Sequence, residues 1–153
     1  MKQEMSVLGI DIAKRVFHAI GMDNTGKIVF RKRLSRHDLM PWMAKLPPVL
    51  IGMEACGGAH YWARRFRAYG HEVKLMAPQF VKPYVKSNKN DSRDAEAIAE
   101  AVTRPTMRFV PIKDVDQQDI QALHRVRERL IGARTALVNE VEVITIYDIL
   151  CRP

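Results

Sequence analysis

Two short apolar runs, each ending in an acid, constrain this chain more than any other feature. Ser6-Val7-Leu8-Gly9-Ile10-Asp11-Ile12 is the first, and Pro48-Val49-Leu50-Ile51-Gly52-Met53-Glu54 is the second. Runs of this length and composition, bounded by turn formers, read as buried strands. An acid at the end of a buried strand in an α/β sheet lies at the sheet's rim, where sites are usually built. Burying it unpaired is costly, so each acid needs a cap, a cationic partner or a metal. Taken singly, a turn cap or a lysine or arginine partner is the simpler reading of either one.

The segments between and after these runs fill in an α/β pattern. Val16 to Met22 reads as a second strand, Asp23-Asn24-Thr25-Gly26 as a turn, and Lys27 to Leu34 as a third strand. In that third strand Ile28, Phe30 and Lys32 share one face, and Val29, Arg31 and Arg33 the other. The alternation is imperfect because Val29 falls on the basic face. Together the three predict an antiparallel meander. Ser35 is suited to cap a helix through about Lys45, with Pro41 kinking it or delaying its start. After Glu54, Gly57 and Gly58 break the strand, and Ala59 to Tyr69 follows as a helix stopped by Gly70. Glu72 to Met76 is a fifth strand. A helix crossing between two strands predicts that they pair in parallel.

From Pro78 to Asn90 the chain is basic and punctuated by proline, a loop or a broken helix. Asp91 to Val102 predicts a helix with Ala95, Ile98, Ala99 and Val102 on one side, and Arg108 to Pro111 a short extended piece. A long amphipathic helix follows from Asp116 to about Glu140, its stripe made by Ile120, Leu123, Val126, Leu130, Ala133 and Leu137. The tail, Val141 to Pro153, is rich in β-branched residues, which lowers helix propensity, yet no turn precedes it. It either continues the helix or fits it poorly. The expected division is 5–112 for a first domain and 113–153 for a helical extension.

Asp91 and Asp94 supply two further acids. Three residues apart, they share a face of their helix. A capping role at the helix start accounts for them equally well when they are taken alone. All four acids together make a layout suited to hard divalent cations, which prefer oxygen ligands. Four carboxylates in one place repel one another unless metal neutralises them. The remaining charge has the opposite sign: the 153-residue chain carries a net +8, which leans toward a polyanionic partner. Lys82, Lys86, Lys89 and Arg93 form a basic run beside the acids, suited to phosphates or simply to solvent. Two cysteines, Cys56 and Cys151, form no CxxC pair, which predicts reduced thiols and a cytoplasmic setting. Neither a membrane span nor a signal peptide is expected.

Three segments resemble one known family in order and spacing: Gly9-Ile10-Asp11-Ile12-Ala13-Lys14, Met53-Glu54-Ala55-Cys56-Gly57-Gly58, and Lys89-Asn90-Asp91-Ser92-Arg93-Asp94-Ala95. They resemble the DEDD transposases of the IS-one-ten insertion-sequence family, over about residues 6–140. The resemblance implies a RuvC-like, ribonuclease-H-type mixed sheet with flanking helices, followed by a long C-terminal helix. It implies Mg²⁺-dependent DNA strand transfer guided by a structured RNA, in homo-oligomers. Asp11, Glu54, Asp91 and Asp94 are carried over as catalytic metal ligands. Lys14, Lys82, Lys86, Lys89 and Arg93 are the residues expected to meet nucleic acid. Full-length relatives carry a second domain with a nucleophilic serine, to which nothing here corresponds, and after Asn139 the sequence leaves the family pattern. A truncated or frameshifted product is therefore expected, unable to recombine DNA alone.

Other readings keep part of this pattern. A Holliday-junction resolvase uses the same carboxylate logic. A sugar-kinase or actin-like ATPase shares the core but needs a second glycine-rich phosphate loop and a longer chain. A fragment that binds nucleic acid without chemistry is the non-enzyme reading. Trp42, Trp62 and Phe66 fit helix core faces, Cys56 fits a small buried site, His60 fits a structural or surface place, and Tyr84 fits either base stacking or packing.

Overall fold

The structure is a computed structural model that describes residues 5–85 and 91–151; the side chains of residues 91, 92, 148, 150 and 151 are outside the description. Two compact units divide the chain, Met1–Ile112 and Lys113–Pro153. Among the described residues, no helix is long and apolar enough to cross a membrane.

A six-stranded mixed sheet organises the first unit, in the order β3-β2-β1-β4-β5-β6. β1 (Val7–Ile12), β2 (Val16–Met22) and β3 (Ile28–Ser35) form the expected antiparallel meander. Its β2–β3 turn is tied by Asp23, whose Oδ1 accepts the Thr25 N–H at 2.9 Å, the Lys27 N–H at 3.0 Å and the Thr25 hydroxyl at 2.6 Å. β4 (Leu50–Glu54) runs parallel to β1, and β5 (Glu72–Met76) parallel to β4. β6 (Phe109–Val110) closes the edge antiparallel to β5.

Alternation along the strands sends side chains to two separate cores. Leu8, Ile10, Phe17, Ala19, Ile51 and Met53 meet α1 (Arg36–Met43) and α2 (Ala59–Ala68) on one face. Val7, Ile20 and Met22 meet α4 (Asp91–Val102) on the other, through Ala95, Ile98, Ala99 and Val102. Ser35 caps α1, its hydroxyl accepting the Asp38 N–H at 3.2 Å, so α1 begins without delay. It runs through Pro41 and ends at Met43, short of the expected Lys45. Gly70, at φ 86°, turns the chain after α2 in a conformation that glycine adopts at little cost.

Two expectations about packing are corrected. Ile28 does not share a face with Phe30: the pairing slips between Gly21 and Met22, where Gly21 faces Phe30 and Met22 faces Ile28. This β-bulge leaves Val29 as the extra residue and turns Ile28 toward the α4 core, whereas Phe30 packs on the opposite core against Trp42. That slip accounts for the imperfect alternation. Cys56 is exposed rather than buried, because it lies beyond the end of β4, in the turn that leads to Gly57 and Gly58.

After β5 the chain makes one helical turn, α3 (Pro78–Val81), and a 3-10 turn at Lys82–Tyr84. Tyr84 packs on the α4 core, with the Arg104 guanidinium 5.7 Å from its ring centre. The second unit is one helix, α5 (Val115–Cys151), so the β-branched tail continues it. Ile120, Leu123, Val126, Leu130 and Leu137 of its stripe are exposed.

Candidate carboxylate site

Glycine sets the height of the site. Gly9 and Gly52 are register partners on β1 and β4, each two residues before an acid. A Cβ on Gly9 would stand 2.6 Å from the Ala99 amide nitrogen, 2.7 Å from the Ala99 Cβ, and against the Ala95 carbonyl oxygen. On Gly52 it would stand 2.9 Å from the Val102 Cβ. Both strands therefore lack side chains where α4 crosses them, and the helix backbone rests on the sheet.

Two residues further along, Asp11 and Glu54 point to the same face as these glycines. They follow the register pair Ile10↔Met53 by one step, which sets the two acids side by side on adjacent strands, with backbones about 4.8 Å apart. The α4 contacts pass from Gly9 on β1 to Gly52 on β4, and the end of the helix lines a hollow with Ser6 and Val7 at the opening of β1, so its start lies toward the acids at the other end of that strand. Asp94, one residue before Ala95, thereby comes to the rim as the third acid. Asp11, Glu54 and Asp94 are all half-buried.

The electrostatics agree with this convergence. Burial pushes the Glu54 carboxyl above its ordinary value, and the charges of Asp11 and Asp94 push it further in the same direction. Like charges this close disfavour ionisation, the situation a divalent cation would reverse. The donor set, carboxylate oxygens alone, suits magnesium. Among the described residues no three acids, histidines or cysteines stand at coordination spacing. Asp91 opens α4 one turn ahead of Asp94, and its side chain lies outside the description.

A pH dependence follows. Between the ordinary glutamate value of 4.5 and the raised folded value, the folded chain keeps a proton that the unfolded chain has released. Stability contributed by this group is therefore full below that interval and declines as pH rises through it. In chelator, Glu54→Gln is expected to melt above the wild type at pH 8 and level with it near pH 4. Melting curves across that range check this, and a gap that does not close on acidification would be the contrary result.

The basic residues expected near the acids divide. Lys14 is exposed in the β1–β2 turn, three residues past Asp11, and Arg93 is exposed beside Asp94. Lys82 is exposed in the 3-10 turn, whose Tyr84 has already reached Arg104, beyond the end of α4 opposite Asp94. Lys86 and Lys89 lie outside the described residues. His60 is buried, as a structural residue would be. Sequence reasoning missed His18, the cross-strand partner of Asp11, and Arg33, the partner of His18. Alternation along β2 and β3 was the available signal.

The sheet order and its helices define a RuvC-like member of the ribonuclease-H-like folds. T. thermophilus RuvC in complex with a Holliday junction substrate superposes with a TM-score of 0.52 at 13% identity, covering 70% of this chain and all of that one. The chain belongs to the IS110-type DEDD transposase family, whose match spans residues 8–144. A probable family 20 transposase of Pseudomonas aeruginosa is 56% identical over 90% of this chain and 40% of its own length. The transposase for insertion sequence element IS1111A of Coxiella burnetii is 50% identical over 91% of this chain and 38% of its own. For the element IS1328 transposase of Yersinia enterocolitica the figures are 47%, 90% and 41%. The chain thus spans about two fifths of the length of these relatives.

Proposed function

We propose that this chain is the magnesium-dependent catalytic half of a DNA transposase that moves an insertion sequence under the guidance of a structured RNA, in oligomers, in the cytoplasm. The convergence of Asp11, Glu54 and Asp94 from β1, β4 and α4 at one rim of a RuvC-like sheet carries the reading. Asp91 joins them by its place in α4. A bound Mg²⁺ pair would supply activation of an attacking oxygen and stabilisation of a leaving oxygen on a phosphodiester.

What the protein itself contributes is rigidity. Asp11 and Glu54 sit on neighbouring central strands, whose hydrogen bonds fix their separation. The contacts of Gly9 and Gly52 with α4 fix the height of Asp94. Few degrees of freedom remain to be frozen when charge arrives, which is what preorganised electrostatics requires. DNA as substrate rests on family membership, and the guiding RNA and the oligomer on the resemblance of the three acid-bearing segments alone.

The test is a chimaera. Residues 1–144 replace the corresponding segment of the Pseudomonas aeruginosa relative, and the purified protein receives RNA and both DNA sites. Recombinant product from the chimaera, and none from the 153-residue chain alone, is expected. No product from the chimaera, where the intact relative is active, would contradict the reading. Junction cleavage by the isolated chain would favour a resolvase instead.

A further inference from the structure

We propose that the hollow between the β1–β2 turn and β3 is a phosphate-binding site that holds a DNA strand beside the carboxylates, a proposal that rests in part on the function above. It measures about 610 Å³ and is lined by Ala13, Lys14, Arg15, Val16, His18 and Arg33. Register places it in one row with the acids: Arg33 on β3 pairs with His18 on β2, and His18 pairs with Asp11 on β1. The neighbours Phe17 and Leu34 point into the α1–α2 core, so His18 and Arg33 point to the face that carries Asp11.

Charge separates this hollow from an ordinary basic surface. Arg31, two residues before Arg33 on the same face, is neutralised by Glu96 of α4 at 2.9 Å. Among the described residues, Lys14, Arg15 and Arg33 are exposed and none has a carboxylate partner. A second, smaller hollow of about 260 Å³, lined by residues that include His18, Arg31, Lys32 and Arg33, continues the groove along β2 and β3.

Distance selects the role. Two strand spacings put the Arg33 backbone about 10 Å from that of Asp11. The three cations are thus suited to phosphates further along a strand whose reacting phosphodiester sits at the acids. Such contacts fix register without reading sequence. DNA fits better than an acidic protein because the row of cations ends at a site for phosphodiester chemistry.

Binding to a 20-base-pair DNA duplex, measured in chelator across a range of salt, tests this without the metal. In the variant Lys14→Gln/Arg15→Gln/Arg33→Gln, the slope of log affinity against log salt is expected to shrink by about 2 to 3, near 0.9 for each phosphate that is no longer neutralised. The charge-matched control Lys27→Gln/Lys45→Gln/Arg108→Gln is expected to keep the wild-type slope. All six residues are exposed, so both variants should melt with the wild type. The proposal falls if the two variants behave alike, if the wild type shows no salt-dependent DNA binding, or if only an RNA of the same sequence responds. Since metal is absent throughout, failure here leaves the carboxylate reading standing, and the reverse holds for a failed metal titration.

Discussion

Gly9→Val is expected to leave no stably folded protein, and Gly9→Ala to melt roughly 10–20 °C below the wild type. The reason is the resting place of α4. Even an alanine Cβ stands 2.6 Å from the Ala99 nitrogen and against the Ala95 carbonyl oxygen. Those are backbone atoms of a helix, and they cannot rotate away. Overpacking of this kind typically costs about 1–3 kcal/mol for a modest excess, and valine adds two further methyl groups. Against a whole-domain stability of about 5–15 kcal/mol, lifting α4 off the sheet is decisive. It would uncover Ala95, Ile98 and Ala99, all fully buried, and carry Asp94 away from Asp11. Gly57→Ala is the control: nothing stands within 4 Å of its added Cβ and its φ is not positive, so a surface-like change below about 0.5 kcal/mol is expected. Thermal melts of the three variants read this directly, and a Gly9→Val protein melting with the wild type would refute the packing described.

Asp11→Asn in the chimaera is expected to lower the recombination rate by roughly a thousandfold. The substitution keeps the shape and removes the charge, so the strand register with His18 and the packing of Gly9 survive. Lost instead is one of the oxygens that would hold a divalent cation, whose stabilisation of a phosphodiester transition state is worth several kcal/mol, about a decade of rate per 1.4. Asp38→Asn serves as control. That acid lies in the first turn of α1, hydrogen-bonded to Ser35, and its loss should leave the rate unchanged. A rate for Asp11→Asn within tenfold of the parent would mean that the acid does not take part in the chemistry.

How much of this was legible in the sequence can be argued from single elements. β2 and β5 have the bounds that their apolar patterns predict, and α4 does too. Each is short, regular and clearly punctuated. The two strand-end acids were visible for the same reason, because a carboxylate at the end of an apolar run has no neutral place to go. Ile28 was misplaced because a bulge depends on how two strands pair, and one strand's alternation cannot reveal it. Cys56 was misplaced because small size suggests burial, while its position in a turn decided otherwise. The tail beyond Val141 stayed open because β-branched residues weaken a helix without ending one, and no breaker intervenes before Cys151. His18 and Arg33 went unnoticed because their row exists only once β1, β2 and β3 are aligned.

Glycines told more than their frequency suggests. Gly9 and Gly52 each precede an acid by two residues, and that repeated spacing is the sequence trace of a helix laid across two parallel strands. Sheet and helix then bring three acids to one rim while Arg33 and Lys14 line a hollow beside them, so repulsion among the acids and a basic flank arise from one piece of geometry.

Thermal melting in rising Mg²⁺ at neutral pH tests the carboxylate cluster most directly. Binding to the folded chain alone should raise the melting point, by about 2.7 kcal/mol of stability at a concentration one hundred times the dissociation constant. The account predicts this rise for the wild type and its loss in both Glu54→Gln and Asp94→Asn. A wild type indifferent to millimolar Mg²⁺, or variants that respond as the wild type does, would contradict it.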